Sequence, residues 1–243
     1  MIETSLKQAL EIALGYPYER PSSSFVISNG TVEELTSSFD HTNRVPVIAC
    51  GSNGAPEQLL RKFKNNSEEP VIVTFATLTD FVCCYSAHIS GYGAIPTTLV
   101  PMLGVQTECH ITWLTIDQLE KMHETEALGR NYRYSKLESI SINCEINGQL
   151  NAAYAYIGIH GNLVHSNAPV ALSEIPFTCD LSLPRLSQRA LQELMIEKLS
   201  LKISVEKFIQ ENIEDTDLRI QRVRALEKFS QPFTYACETI LEN

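Results

Sequence analysis

Apolar positions recur at helical spacing over Ser5–Leu14 and stop at Gly15 and Pro17, which predicts a short first helix. Ser24–Ser28 reads as a short strand, with a turn at Asn29-Gly30. Thr31-Val-Glu-Glu34 has the T-x-x-E form of a capping box, so a brief helix is expected there. Val45–Cys50 is a continuous apolar run stopped by Gly51, the mark of a buried strand. Pro56 then stands where proline is favoured, at the first turn of a helix predicted over Glu57–Lys64. Four further runs read as strands: Val71–Phe75, Phe81–Ala87, Ile95–Val100 and Gln106–Leu114. Thr115-Ile-Asp-Gln118 is a second capping box and opens a helix from Ile116 to about Glu124. Tyr132–Ile142 and Gln149–Ile157 form the arms of a hairpin about an Asn147-Gly148 turn.

The pattern changes after Pro184, where no strand signal remains. Leu186–Leu199, Val205–Asn212 and Asp217–Phe229 each carry apolar residues at helical spacing. Six or seven strands with few long helices do not fit a regular β-α-β repeat. The predicted class is α+β: a small mixed, partly closed β-barrel of six to seven strands with surrounding helices, plus a C-terminal helical extension. Residues 1–180 would form the barrel domain, with 1–44 an extension ahead of it, and 181–243 the helical extension. That extension would pack on the barrel or on a second copy of the chain, making a homo-oligomer through the C-terminal helices.

Composition narrows the function classes. The 243 residues are 44% hydrophobic and 20% charged, the balance of a globular chain. Their net charge is −10, of which −9 falls in residues 1–180, and an acidic balance argues against a nucleic-acid partner. No apolar run approaches the ~18 residues of a membrane-spanning helix, so no membrane partner is expected. The first twenty residues have acidic positions and no basic leader, unlike a signal peptide. Cys50, Cys83, Cys84, Cys109, Cys144, Cys179 and Cys237 are scattered and form no C-x-x-C pair. That points to a reducing, cytoplasmic setting with most thiols acting as small buried hydrophobes.

Two segments could carry chemistry. In the first, the Val47–Cys50 strand runs into Gly51-Ser-Asn53 and a helix start, which leaves backbone N–H groups facing one space. Such donors favour a carboxylate, a phosphate or a developing oxyanion; an ordinary strand-to-helix turn gives the same sequence. The second is Glu126, at the end of the helix opened by Thr115 and ahead of the Ala127-Leu-Gly-Arg-Asn-Tyr132 loop. A carboxylate at that place is a candidate general acid or base, or else a solvated helix end. His123 with Glu124 and Glu126 lacks the spacing of a metal site, so no metal is expected. Cys50 with His88 or His123 would make a thiol nucleophile, although a cysteine ending an apolar run packs more naturally than it reacts. His88, Tyr92 and Thr98 lie in a polar, Gly-rich stretch that could line a cavity.

Taken in order, these pieces resemble the γ-glutamyl cyclotransferase-like family. Cys50-Gly-Ser-Asn53 followed by Pro-Glu-Gln-Leu59 resembles its Tyr-Gly-Ser-Asn loop and helix. Thr98-Leu-Val-Pro-x-x-Gly104 resembles its A-T-x-x-P-x-x-G stretch. Leu119-x-x-Met122-His-x-x-Glu126, with Tyr132 and Arg133 after it, is similar to its L-x-x-L-D-x-x-E-G segment. The resemblance spans residues 45–157. It implies a barrel with a cavity at one rim, in which Cys50, Gly51, Ser52, Asn53, Tyr132, His88 and Thr98 bind a γ-glutamyl compound. Glu126 would be the general base, taking a proton from the substrate's α-amine. That amine would attack its own γ-carbonyl and release an amine and 5-oxoproline, with no cofactor. Three positions depart from the family pattern: Cys50 replaces a tyrosine, His123 an aspartate and Ala127 a glycine.

Overall fold

The structure is a computed structural model that describes residues 2–63, 69–180 and 182–241. Its centre is a ring of five strands: β3 (Val45–Ala49), β4 (Val71–Tyr85), β5 (Thr97–Leu114), β6 (Tyr132–Cys144) and β7 (Gly148–Gly158). Going round it, β3, β5, β4, β6 and β7 pair antiparallel in turn. A parallel β7–β3 pairing, Val47 opposite Tyr154, closes the ring. The small mixed barrel with helices about it is therefore what this chain builds, with closure over five strands and short strands added at their edges. β1 (Phe25–Ser28) lies on β4 and forms a hairpin with β2 (Thr31–Glu34).

Alternate residues on a strand face opposite sides, and each side of the ring strands is buried. Ile48, Ala76, Ile111, Ile142 and Ala155 belong to one apolar cluster. Their neighbours Val47, Val73 and Leu114 join a second, with Leu59 and Phe63 of α2 (Pro56–Phe63) and Met122 of α3 (Ile116–Thr125). α2 and α3 thus lie side by side over one flank, and their C-terminal turns meet.

Three expectations need correction. Thr31–Glu34 is a strand, because Asn29 and Gly30 both take positive φ (51° and 77°) and form a hairpin turn. Val71–Phe75 and most of Phe81–Ala87 belong to one strand, as do most of Ile95–Val100 and Gln106–Leu114. The joint in β4 is a bulge at Asp80 (φ 62°), whose Oδ1 accepts from Gly104 N at 2.7 Å across the hairpin. The tail also contains strands: Arg185–Leu186, Ser230–Gln231 and Glu238–Leu241, the last pairing with β6. Lys64, at the end of the helix expected over Glu57–Lys64, lies outside the described residues.

The helices of the tail are α4 (Gln188–Lys198), α5 (Val205–Glu214) and α6 (Thr216–Leu226), and the first helix, α1, covers Ile2–Leu14. Ala13 of α1, Leu191 and Met195 of α4, and Phe208 and Ile209 of α5 share the cluster of the ring strands. The buried Gln188 side chain makes a two-way bond to Ile95, 2.9 Å to both N and O, and Gln192 donates to Gly93 O at 3.1 Å. Through these bonds α4 fixes the segment that leads into β5. Among the described residues no helix is long and apolar enough to cross a membrane.

Candidate active site

A cavity of about 230 Å³ opens where the C-terminal turn of α3, the end of β3 and the start of β5 converge. Glu126 caps the C-terminus of α3, its N–H returned to His123 O, and its carboxylate enters this cavity. The helix starts at Thr115 with the predicted capping box complete: Thr115 Oγ1 accepts from Gln118 N and Gln118 Oε1 from Thr115 N. Opposite Glu126, β3 ends in a single 3₁₀ turn, Ser52–Gly54. Gly54 N and Ala55 N bond back to Gly51 O and Ser52 O at 3.0 and 2.9 Å. Ser52 and Asn53, at the start of the turn, have no carbonyl one turn behind them. Their N–H groups meet no backbone acceptor among the described residues, and both residues line the cavity.

The two segments touch. Asn53 Nδ2 donates to Glu126 Oε1 at 3.0 Å. Lys62, on α2, forms an ion pair with the same oxygen, and both side chains are nearly enclosed, 7% and 11% exposed. Lys62 Nζ also lies 3.3 Å from Met122 Sδ. Both polar contacts fall on Oε1, leaving Oε2 without a hydrogen-bond partner among the described residues. Asn53 Oδ1 is likewise buried without a partner.

Thr97, the first residue of β5, organises the far wall. Tyr132 donates to Thr97 O at 2.9 Å, and Thr97 N donates to the Tyr16 hydroxyl at 2.9 Å. That hydroxyl also lies 2.8 Å from Thr97 Oγ1, which accepts from Cys50 Sγ at 3.8 Å. Burial pushes the phenols of Tyr16 and Tyr132 above the usual tyrosine range. The Cys50 thiol is drawn below its ordinary value, first by a hydrogen bond from Cys83 and then by Thr97, against the effect of burial. Its partners are thus a hydroxyl and a second thiol, and no imidazole bonds to it among the described residues. Gly51 is required here: a Cβ would lie 2.3 Å from both Tyr16 Oη and Thr97 Oγ1.

His88 lines the cavity from the segment held by α4, edge-on to Tyr132 at 5.2 Å between ring centres. Burial, then the neighbouring His160, pushes its pKa down to about 3, so it is neutral near pH 7. His123 faces away from the cavity, its Nδ1 hydrogen-bonded with the Tyr156 hydroxyl at 2.8 Å; burial also lowers its pKa. Ala127, next to Glu126, has φ 49°, the left-handed region in which glycine is at ease. Among the described residues no group of three or more His, Cys, Asp and Glu is placed to hold a metal ion.

Of the residues singled out from the sequence, the fold brings Cys50, Gly51, Ser52, Asn53, His88, Tyr92, Glu126 and Tyr132 to one cavity. Thr98 is not on its wall. Its Oγ1 accepts from Gly158 N at 3.0 Å, while Thr97, one position earlier on the strand, faces the cavity. Tyr16 and Lys62 were not anticipated. Lys62 lies three residues after buried Leu59 and beside Phe63, on the inner face of α2, and that spacing is the one signal the sequence offered.

No family model matches this chain, and no curated protein matches it. Solved structures similar to it include the following two. One is the solution structure of an Arabidopsis thaliana protein, 21% identical, with a TM-score of 0.37 over 49% of this chain and 72% of that one. Another is the crystal structure of an uncharacterized protein from Homo sapiens, 14% identical, with a TM-score of 0.37 over 80% of this chain and 92% of that one.

Proposed function

We propose that this chain is a cyclotransferase-like enzyme acting on a γ-glutamyl amine or peptide, with Glu126 as the general base. One observation carries the reading: the Glu126 carboxylate is tied by Asn53 to the Gly51–Asn53 loop inside a single cavity. At about 230 Å³ the cavity lies below the roughly 300–1,000 Å³ of drug-sized sites, a size suited to an amino-acid-like group. The substrate's α-ammonium would meet Glu126 Oε2, an acceptor that no donor occupies among the described residues. Glu126 takes one proton, and the freed amine attacks the γ-carbonyl carbon of the same molecule. The carbonyl oxygen becomes an oxyanion against the N–H groups of Ser52 and Asn53. As the carbon–nitrogen bond to the leaving amine breaks, Glu126 returns the proton to that amine; the ring nitrogen then gives its second proton to Glu126, which passes it to the released amine, and neutral-lactam 5-oxoproline and an alkylammonium are left. Lys62 balances the charge of Glu126 in both resting states, before and after turnover.

A second reading has an observation of its own. Lys62 and Glu126 already compensate one another, so the pair could serve the fold alone in a binding protein for an amino-acid-like ligand. One experiment separates the two. A panel of γ-glutamyl amines and dipeptides is incubated with the protein and with Glu126→Gln, and 5-oxoproline release is measured. The enzyme reading expects release by the native chain and its loss in the variant; ligand binding without release in either protein favours the binder.

A further inference from the structure

Among the described residues, the hydrogens around Thr97 do not all have an acceptor. Thr97 Oγ1 accepts from the Cys50 thiol at 3.8 Å and lies 2.8 Å from the Tyr16 hydroxyl, which already accepts from Thr97 N at 2.9 Å. Two hydroxyl protons share one bond between these oxygens, so one proton is left over whichever way the pair is oriented. In the head-to-tail orientation Cys50 donates to Thr97 and Thr97 to Tyr16, and Tyr16 keeps the free proton; chains of this kind strengthen each member. Tyr132 already donates to Thr97 O, and Asn53 Nδ2 donates to Glu126. The Tyr16 oxygen stands 2.3 Å from where a Gly51 Cβ would be, directly against the loop whose N–H groups face the cavity.

We infer that Cys50, Thr97 and Tyr16 form a donor chain whose last hydroxyl, that of Tyr16, hydrogen-bonds an acceptor oxygen of the ligand seated at Gly51–Asn53. Identifying that oxygen as the γ-carbonyl of a γ-glutamyl amide rests on the cyclotransferase reading. The N-terminal helix is then part of the site, since Tyr16 follows it by two residues. Burial raises the Tyr16 phenol above its usual range, so it stays protonated and serves as a donor rather than a base. Cys50, which departs from the family's tyrosine, stands at the other end of the same chain.

The test is Tyr16→Phe, read by turnover and by affinity for 5-oxoproline, a product that carries the same carbonyl. Release of 5-oxoproline from γ-glutamyl amides is expected to fall about tenfold to hundredfold in kcat/KM. Calorimetric affinity for 5-oxoproline should fall about fivefold or more. Thr97→Ser, which keeps the hydroxyl, should retain more of both readouts than Thr97→Val. If Tyr16→Phe does not fold, Thr97→Val decides: it removes the link that orients Tyr16 and should lower both readouts in the same direction by less. Turnover unchanged in a folded Tyr16→Phe protein overturns the chain and leaves the cyclotransferase reading standing. Without turnover in the native protein that reading fails, and the chain stands only if 5-oxoproline binds and Tyr16→Phe weakens it; equal or absent binding overturns it too.

Discussion

Glu126 and Lys62 are both almost wholly buried, and each is the other's counter-charge. Removing one partner leaves a charge in a medium that solvates it poorly, so Lys62→Met should destabilise the fold by about 3 kcal/mol. Glu126→Gln added to that variant should restore much of the loss. Urea midpoints for the two single variants and the double variant check this, and simple additivity would show that the pair is not coupled. Glu126 was legible in the sequence because it falls at a helix end just before a loop. Lys62 was not, since nothing in one sequence shows which lysine lies over which carboxylate. The same limit explains Thr98. Along a strand the side chain turns over at every residue, so a stretch correctly assigned to the cavity still leaves the choice between Thr97 and Thr98 open. Tyr16 was missed because it lies beyond the end of a helix that the sequence did not connect with Thr97, 81 residues further on at the start of β5.

Two capping boxes were read from the same kind of signal, and one formed. Thr115 and Gln118 make both reciprocal bonds, and they set the start of α3 and with it the position of Glu126 one residue past its end. Thr115→Ala should cost about 1 kcal/mol of stability. Chemical denaturation measures it, and no loss would mean that β5 alone fixes the helix. At Thr31 the preceding Asn29-Gly30 takes positive φ at both positions, and its twist suits two antiparallel strands; the hairpin wins over the local helix signal. Long strands were read as halves for a related reason. β4 and β5 pass through Asp80 and Gly104 at positive φ, and both residues look like chain breaks in sequence, but the bulge and the Asp80–Gly104 bond carry the pairing across. Hence the class of fold and most elements could be read from apolar spacing, whereas the ring closure between β3 and β7 depends on a parallel pairing across more than a hundred residues.

At the scale of the whole molecule, tail and ring share one apolar cluster, and α4 holds the cavity segment through Gln188 and Gln192. Two buried histidines tie that stability to pH. Burial, aided by His160 at His88 and by Arg20 at His110, pushes both pKa values from 6.5 down to about 3. Between those values the unfolded chain binds protons that the folded chain refuses, so stability falls as pH falls through that window. From pH 7 to pH 5 the loss should be about 2 kcal/mol for each histidine, seen as a lower urea midpoint; a midpoint that is flat or rises toward pH 5 would contradict it. The central claim is that Glu126 moves the proton in a ring closure at the Gly51–Asn53 loop. Its most direct test is the rate of 5-oxoproline release by Glu126→Gln beside the native protein, on whichever γ-glutamyl compound the native protein converts. The account predicts a fall of about 10²–10⁴-fold with ligand binding kept; a variant that releases 5-oxoproline at the native rate would contradict it.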